Sequence, residues 1–273
     1  MIKQAIIPLA GQGTRLLPLT SVFPKELLPI NGKPGIEYIL DECIKSGIKE
    51  IILIISKRKS IIKKYFYNDV FYKNLIKKNK NDKKLKFEYS KIKKYKKMIK
   101  FVYQNSPRGT GDAVLKCKNL IKSKYFLMLM PDDLIINSNC SASLIKLHNR
   151  YKSPIIASKK VSKKDVSRWG IFDIKKINKK DFIIKDVIEK PSIKSAPSNY
   201  AVIGRYVLPK IIFRVLKKQR PGQNGEIHIT DAIRFLLHKK NKFIGHIFAG
   251  KYLDCGTMKG YINSATEISK LQL

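Results

Sequence analysis

Leu9–Pro29 reads LAGQGTRLLPLTSVFPKELLP, and this stretch decides the fold of the chain. It begins at the end of an apolar run and turns at Gly11 and Gly13. Glycines let backbone N–H groups approach a phosphate closely because no Cβ intervenes. Arg15 and Lys25 add fixed positive charge beside that turn. The stretch therefore predicts a buried strand followed by a loop that binds a polyphosphate.

Two common phosphate-binding patterns do not fit this turn. No G-K-[ST] follows the glycines, as a Walker loop requires, and Leu16 stands where the third glycine of a dinucleotide fingerprint should be. A GxG turn alone is as typical of an ordinary loop as of a binding site. The information therefore lies in the whole stretch rather than in its glycines.

Length and composition indicate a globular chain. With 273 residues, 44% of them hydrophobic, it can bury a full core. It has no run of roughly 18 uncharged apolar residues, as a membrane helix would need, and no signal-peptide pattern at its start. Its four cysteines form no CxxC pair, which is typical of free thiols in a reducing compartment. We expect a cytoplasmic protein that makes no membrane contact.

The formal net charge of +37 suggests a nucleic-acid binder at first sight. However, only nine of the 57 basic residues are arginine, and the lysines are spread along the whole chain among many isoleucines and asparagines. We interpret this bias as compositional drift in an A+T-rich genome, with non-specific polyanion affinity as a by-product. Residues 63–100 are the densest in lysine and tyrosine, and we predict an irregular, exposed, mobile insertion with some helix. RNA binding by this segment stays open as an alternative.

Apolar runs and helical periodicities alternate along the chain, which is typical of an α/β fold. Residues 3–9, 50–55 and 125–130 read as buried strands, and Pro34 opens a helix over residues 36–46. We predict a Rossmann-like, mixed and mostly parallel central sheet flanked by helices.

Acidic residues follow the apolar strand at 125–130. The carboxyl edge of such a sheet is where ligands bind, and carboxylates there can hold Mg²⁺. Asp132 and Asp133 fit this role, but Pro131-Asp132-Asp133 is also good turn chemistry. Asp254, two residues before Gly256, fits the cap of the last helix on local grounds, or another role in the site. Local sequence leaves both alternatives open.

Taken together, these blocks resemble the signature of the sugar nucleotidyltransferases, G-x-G-T-R-L-x-P-x-T-x-x-x-P-K-E, and the resemblance extends from Ile2 to about Glu267. Pro24-Lys25-Glu26 is similar to the branch that uses UTP and glucose 1-phosphate. The resemblance implies a nucleotide-diphospho-sugar transferase fold with a smaller sugar-side lobe. It implies one domain over 1–273, with a nucleotide-binding half at about 1–135 and a sugar-binding half at about 136–273.

The same resemblance implies a reaction and its partners. A uridylyl group would pass from UTP to α-D-glucose 1-phosphate by Mg²⁺-assisted in-line attack, giving UDP-glucose and pyrophosphate. We also expect a homodimer or homotetramer and no specific nucleic-acid partner.

Site residues are implied by the matching motifs. Arg15, Lys25 and Lys190 are implied to contact the phosphates. Asp132 and Asp254 are implied to bind Mg²⁺, and Asp133 to support them without binding the ion directly. The residues implied to bind the nucleotide are Ala10, Gly11, Gly13, Thr14, Glu26, Gln104 and Gly109. The residues implied to bind the sugar are Gly170, Glu189, Lys190 and Asn199.

The chain departs from this pattern in places. Asp112 stands where the branch usually has His, and Trp169 where it usually has Tyr. Thr230-Asp231 is interpreted mainly as the start of a helix. The rival functions are a thymidylyltransferase or another sugar nucleotidyltransferase on the same scaffold, a non-catalytic paralogue, and a basic nucleic-acid-binding protein.

Overall fold

Strands and helices alternate in a computed structural model that describes residues 1–222 and 225–271. The strands are β1 (Gln4–Pro8), β2 (Pro29–Ile30), β3 (Lys33–Pro34), β4 (Glu50–Ile55), β5 (Ile99–Tyr103), β6 (Tyr125–Leu129), β7 (Asp133–Ile136), β8 (Ile155–Lys160), β9 (Gly170–Lys176), β10 (Asp181–Glu189), β11 (Tyr200–Pro209), β12 (Phe243–Ile247) and β13 (Lys251–Asp254). The α-helices are α1 (Gly35–Lys45), α2 (Ser60–Tyr67), α3 (Asp69–Lys78), α4 (Lys83–Met98), α5 (Thr110–Leu115), α6 (Cys140–Tyr151), α7 (Ile212–Lys218), α8 (Ile229–His238) and α9 (Met258–Ser269).

One sheet runs through both halves of the chain, in the order β5-β4-β1-β6-β11-β8-β12-β10-β9. Its first four strands are mutually parallel, and β8 and β12 are parallel to each other. In the described residues, seven of the nine strands of this sheet point in one direction, and β10 and β11 point in the opposite direction. The sheet is therefore mixed and mostly parallel, as predicted.

The central strands form because they are apolar on both faces. Every residue of β1 is buried, and so is all of β4 after Glu50. One core cluster packs on each face, which is how parallel strands escape water on both sides. The carboxyl ends of β1, β4 and β6 consequently meet at one edge, where the Leu9–Pro29 stretch begins.

Residues 63–100 correct the prediction of an irregular insertion. Nearly all of them lie in α2, α3 and α4, and Tyr89, Ile92 and Tyr95 of α4 are buried. The Tyr95 hydroxyl donates to Asp41 Oδ1 at 2.6 Å, and Lys91 Nζ lies 2.9 Å from Glu37 Oε2. These buried residues recur at helical spacing, but dense lysines between them hide the pattern.

A buried ion pair joins the two halves. Arg205 of β11 is fully buried, and its guanidinium donates to both carboxylate oxygens of Glu42 in α1 at 2.8 to 3.0 Å. The same guanidinium donates to the carbonyls of Met130 and Asp133 at 3.2 and 2.6 Å. Burial alone would raise the pKa of Glu42, but the Arg205 charge outweighs it and lowers the pKa. Arg205 therefore holds the turn that carries Asp132.

No helix within residues 1–222 and 225–271 combines the length and apolar character that crossing a membrane requires. The four cysteines are buried and carry no disulfide. This agrees with the free thiols expected from their spacing.

Candidate active site

Two adjoining pockets open at the carboxyl edge of the sheet. One of them, named here the nucleotide-side pocket after the predicted ligand, is lined by every residue predicted to bind the nucleotide: Ala10, Gly11, Gly13, Thr14, Glu26, Gln104 and Gly109. The other, named the sugar-side pocket in the same way, is lined by Arg15, Gly170, Glu189, Lys190 and Asp254. Five residues line both pockets: Thr14, Thr110, Met130, Asp132 and Glu226. The two pockets are therefore one continuous cleft with Asp132 at the junction.

The glycine turn forms the floor of the nucleotide-side pocket. Gly13 has a φ of +73°, a conformation that favours glycine, and a short 3₁₀ turn over Thr14–Leu16 follows it. A Cβ placed on Gly11 would meet no protein atom within 4 Å. This leaves backbone accessible beside Thr14, as a phosphate cradle requires.

Lys25 is held by the junction carboxylate. Its Nζ donates to Asp132 Oδ2 at 2.6 Å, and Arg15 Nη2 lies 3.4 Å from the same oxygen. Burial alone would lower the pKa of Lys25, but Asp132 and Glu26 outweigh it and raise the pKa. Burial alone would raise the pKa of Asp132, and Lys25 and Arg15 lower it instead. Both groups are therefore charged at neutral pH.

Asp132 and Asp254 face the same space, although 122 positions separate them in the sequence. The short β7–β13 pair sets Asp133 opposite Asp254, and the Cys255 amide donates to the Asp132 carbonyl at 2.8 Å. A Cβ added to Gly256 would lie 2.8 Å from Asp132 Oδ2 and 3.1 Å from Asp254 Oδ1. A side chain at position 256 would therefore fill the space between the two carboxylates.

Two converging carboxylates fit a Mg²⁺ ion that takes its remaining ligands from phosphate and water. Within residues 1–222 and 225–271 no group of three or more His, Cys, Asp and Glu residues forms an all-protein metal cage. The donor set is thus hard and sparse, which suits a metal delivered with a nucleotide.

Both carboxylate oxygens of Asp133 are already engaged by hydrogen bonds within the protein. Its Oδ2 accepts from the Gly204 amide at 2.8 Å, and its Oδ1 accepts from the Tyr252 hydroxyl at 2.6 Å. Burial raises the pKa of Asp133, and the adjacent Asp132 charge raises it further. Asp133 therefore bonds the turn to β11 and β13.

Glu26 and Gln104 line the nucleotide-side pocket, and both are buried. Both Glu26 oxygens accept from Lys59 Nζ at 2.8 and 2.9 Å, and Lys59 also donates to the Leu9 carbonyl. Burial lowers the pKa of Lys59 although the Glu26 charge opposes it. Lys59 could not be predicted from the sequence, because nothing in Lys57-Arg58-Lys59 distinguishes this buried lysine from the many exposed ones.

Glycine is required at position 109 by close packing against Ile227, which the sequence did not show. Its φ is +95°, and a Cβ there would lie 2.6 Å from the Ile227 carbonyl oxygen. The Gly111 amide donates to that oxygen at 2.7 Å, and the Ile227 amide donates to the Arg108 carbonyl at 2.8 Å. The glycines therefore let the 108–111 loop close onto the segment before α8.

On the sugar side, Glu189 is the last residue of β10 and Lys190 follows it, and both line the pocket. The Thr230 hydroxyl donates to Glu189 Oε2 at 2.8 Å. Thr230 thus lies at the start of a helix as interpreted, yet it does not cap α8, whose N-cap is His228. Lys190 is exposed and has a φ of +45°.

Arg168 is a further pocket residue that the sequence analysis did not single out. Its Nη2 lies 3.6 Å from Asp254 Oδ2. Its only sequence signal is its place beside Trp169-Gly170.

Asn199 is not brought to the cleft. Its Nδ2 donates to the Val161 carbonyl at 3.1 Å, and its own carbonyl accepts from the Val161 amide at 3.0 Å. It is absent from the described residues that line the sugar-side pocket. Its amide thus bonds two connecting segments, which a motif match cannot distinguish from contact with a sugar.

Known proteins are similar to this chain in sequence over nearly its whole length. The family described as Nucleotidyl transferase matches residues 4–270. A protein named as a putative UTP–glucose-1-phosphate uridylyltransferase from Methanocaldococcus jannaschii is 37% identical, over 98% of this chain and 93% of its own length. A UTP–glucose-1-phosphate uridylyltransferase from Bacillus subtilis is 36% identical, over 98% of this chain and 91% of its own.

Solved structures give the same family. An apo UDP-glucose pyrophosphorylase is 33% identical, with a TM-score of 0.90 and full coverage of both chains. A UTP-bound enzyme from Acinetobacter baumannii is 30% identical, with a TM-score of 0.88 over 98% of this chain and 93% of its own. The chain therefore belongs to the nucleotidyl transferase family. Its fold is that of the UDP-glucose pyrophosphorylases within it.

Proposed function

We propose that this chain transfers a uridylyl group from UTP to α-D-glucose 1-phosphate, giving UDP-glucose and pyrophosphate. Three relatives that are 35 to 37% identical over nearly their full length are named for this activity, one of them as putative. One similar solved structure is described as complexed with UDP-glucose. The observation that carries the proposal is the continuous cleft, in which the two pockets meet at Asp132.

The chemistry needs alignment and charge neutralisation more than proton transfer. The sugar phosphate is already ionised, so one of its oxygens attacks the α-phosphorus as the bond to the pyrophosphate leaving group breaks. In our proposal Arg15 and Lys25 bind the β- and γ-phosphates, and Lys190 places the attacking phosphate. Glu189, held by Thr230, accepts hydrogen bonds from sugar hydroxyls.

Asp132 and Asp254 are the residues that would hold Mg²⁺. The bound ion supplies charge stabilisation for the crowded phosphate oxygens. Lys25 and Arg15 already lie at Asp132, so the cations that would meet the leaving pyrophosphate stand beside the carboxylate that would bind the metal.

Release of pyrophosphate from a matrix of substrates tests this function. UTP, dTTP, CTP, ATP and GTP would each be paired with glucose 1-phosphate, galactose 1-phosphate and mannose 1-phosphate, with Mg²⁺ and with EDTA. We expect turnover to be highest for UTP with glucose 1-phosphate and to be abolished by EDTA. Preference for dTTP would instead make the chain a thymidylyltransferase, and no turnover with any pair would contradict the proposal.

We also propose a cytosolic homo-oligomer, dimeric or tetrameric. The buried free thiols suit a reducing compartment. Light scattering on the purified chain would test the assembly, and a monomer at micromolar concentration would contradict it.

A further inference from the structure

The base end of the cleft contains a side-chain network centred on Asp112. Gln104, only 5% exposed, donates from Nε2 to Asp112 Oδ2 at 2.7 Å and to the Gly109 carbonyl at 3.2 Å. The other Asp112 oxygen, Oδ1, accepts from Arg108 Nη2 at 2.9 Å. Asp112 itself is buried and does not line the pocket.

This network determines which way the Gln104 amide faces. An ionised carboxylate and a backbone carbonyl can only accept hydrogen bonds, so both must meet the NH₂ group of the amide. Each of the two Nε2 hydrogens therefore has an acceptor. Gln104 Oε1 has no donor among residues 1–222 and 225–271, and it is not among the buried polar atoms that lack a partner. Since Gln104 lines the pocket, Oε1 is the atom that it presents there.

We propose that Asp112 is a positioning residue that locks the Gln104 amide with Oε1 toward the ligand, so that the site takes a pyrimidine carrying an N3–H group and rejects one without it. The inference rests on the proposed function, because it assumes that a nucleotide base occupies this end of the cleft. Uracil offers an N3–H donor to the fixed acceptor. Cytosine has a lone pair at N3, which would face a second acceptor.

The residue type at position 112 decides how strict this selection is. The branch that the chain resembles usually has histidine here. A neutral imidazole carries one donor and one acceptor nitrogen and could hold the amide in either orientation. Asp112 permits one orientation only.

The Asp112→Asn variant tests the assignment because it keeps the shape of the side chain and adds a donor. An asparagine amide can donate to Gln104 Oε1 and so allows the glutamine to turn over. We expect kcat/KM for UTP to fall about tenfold, the effect of one hydrogen bond of ordinary strength. The value for CTP should not fall, so the UTP-to-CTP ratio should fall about tenfold as well. KM for glucose 1-phosphate should stay unchanged.

Asp186→Asn is the matched control, since Asp186 also pairs with an arginine but lies outside both pockets. Its UTP-to-CTP ratio should equal that of the wild type. A purely structural role for Asp112 would lower turnover of both nucleotides together, and an unchanged ratio in Asp112→Asn would overturn the proposal.

Calorimetric binding of UDP and CDP gives the same ratio without turnover and separates the two proposals. Wild-type chain that binds UDP at least tenfold more tightly than CDP, yet releases no pyrophosphate, would contradict the proposed reaction and support the role of Asp112. Equal binding of UDP and CDP by the wild type would overturn the role of Asp112 even if the variant fails to fold.

Discussion

The nucleotide-side and sugar-side pockets differ in how firmly the protein holds their polar side chains. In the nucleotide-side pocket, Lys25 and Gln104 each donate to a carboxylate, at 2.6 and 2.7 Å. Glu26 is held from behind by Lys59 at 2.8 and 2.9 Å, and all of these side chains are largely shielded from water. On the sugar side, Lys190 and Arg168 are exposed. The carboxylates on this side are held, since Glu189 accepts from Thr230 and Asp133 accepts from Tyr252, so the contrast lies in the cationic side chains.

This difference indicates which side chains lose conformational entropy when a ligand binds. Side chains that are already fixed lose little freedom when a ligand arrives, whereas exposed lysines and arginines must be immobilised. We therefore expect substitutions on the sugar side to change KM for the sugar phosphate selectively. Substitutions at the junction should affect both substrates.

The largest effect is expected at the junction. Asp132→Asn removes the charge that both pockets share, and we expect kcat/KM for UTP and for glucose 1-phosphate to fall about 10³-fold, as for other groups that stabilise developing charge. Initial rates over a range of Mg²⁺ concentrations measure this. The control Asp186→Asn should stay within about twofold of wild type, in line with its place outside the cleft. Near wild-type turnover by Asp132→Asn would show that the Asp132 charge has no role in the reaction.

The next effect concerns the pair that joins the two halves. Glu42→Gln leaves the buried Arg205 without its anion, and we expect the free energy of unfolding at pH 7 to fall by about 3 kcal/mol. The folded-state pKa of Glu42 is lowered, so its contribution is complete above the unfolded value, roughly 4.3, and is lost as the pH falls through the folded-state pKa. The difference between variant and wild type should therefore shrink below that pH.

Urea unfolding at pH 7 and at acidic pH would measure this difference. Glu267→Gln is the control, because Glu267 pairs with Lys251 at the surface. A Glu42→Gln variant as stable as this control would show that the buried pair does not stabilise the junction of the halves.

A smaller effect, confined to one pocket, is expected for Lys190→Ala. Loss of one phosphate contact should lower kcat/KM for glucose 1-phosphate about 10²-fold and leave the dissociation constant of UTP unchanged. Lys194→Ala, also exposed but outside the pocket, should behave as wild type. Equal losses for both substrates would contradict the division into two pockets.

The smallest effect is expected for Thr230→Val. The variant keeps the shape of the side chain but removes the hydroxyl that orients Glu189. KM for glucose 1-phosphate should rise severalfold, about the worth of one neutral hydrogen bond, without a change in KM for UTP. Thr266→Val, which removes an exposed hydroxyl from α9, is the matched control.

Local pattern predicted the central strands and the loops of the cleft, because apolar runs bounded by Gly and Pro specify both. It failed for α4, since lysines fill the positions between Tyr89, Ile92 and Tyr95. It could not predict that β7 and β13 pair with Asp133 opposite Asp254, because these two strands are distant in the chain. The partners of the site residues, such as Lys59 and Thr230, were also unpredictable, since a common residue type gains its role from its neighbours in space.

The contact between Lys25 and Asp132 has a consequence for the order of events. Lys25 serves Asp132 as a built-in counter-ion. A divalent ion that bound Asp132 alone would have to displace the Lys25 ammonium group and leave it buried without its anion. A nucleoside triphosphate with an ion already bound would instead bring phosphate oxygens that replace Asp132 as the counter-ion of Lys25. We therefore expect the metal to enter as the nucleotide complex, and magnesium alone to be a poor ligand.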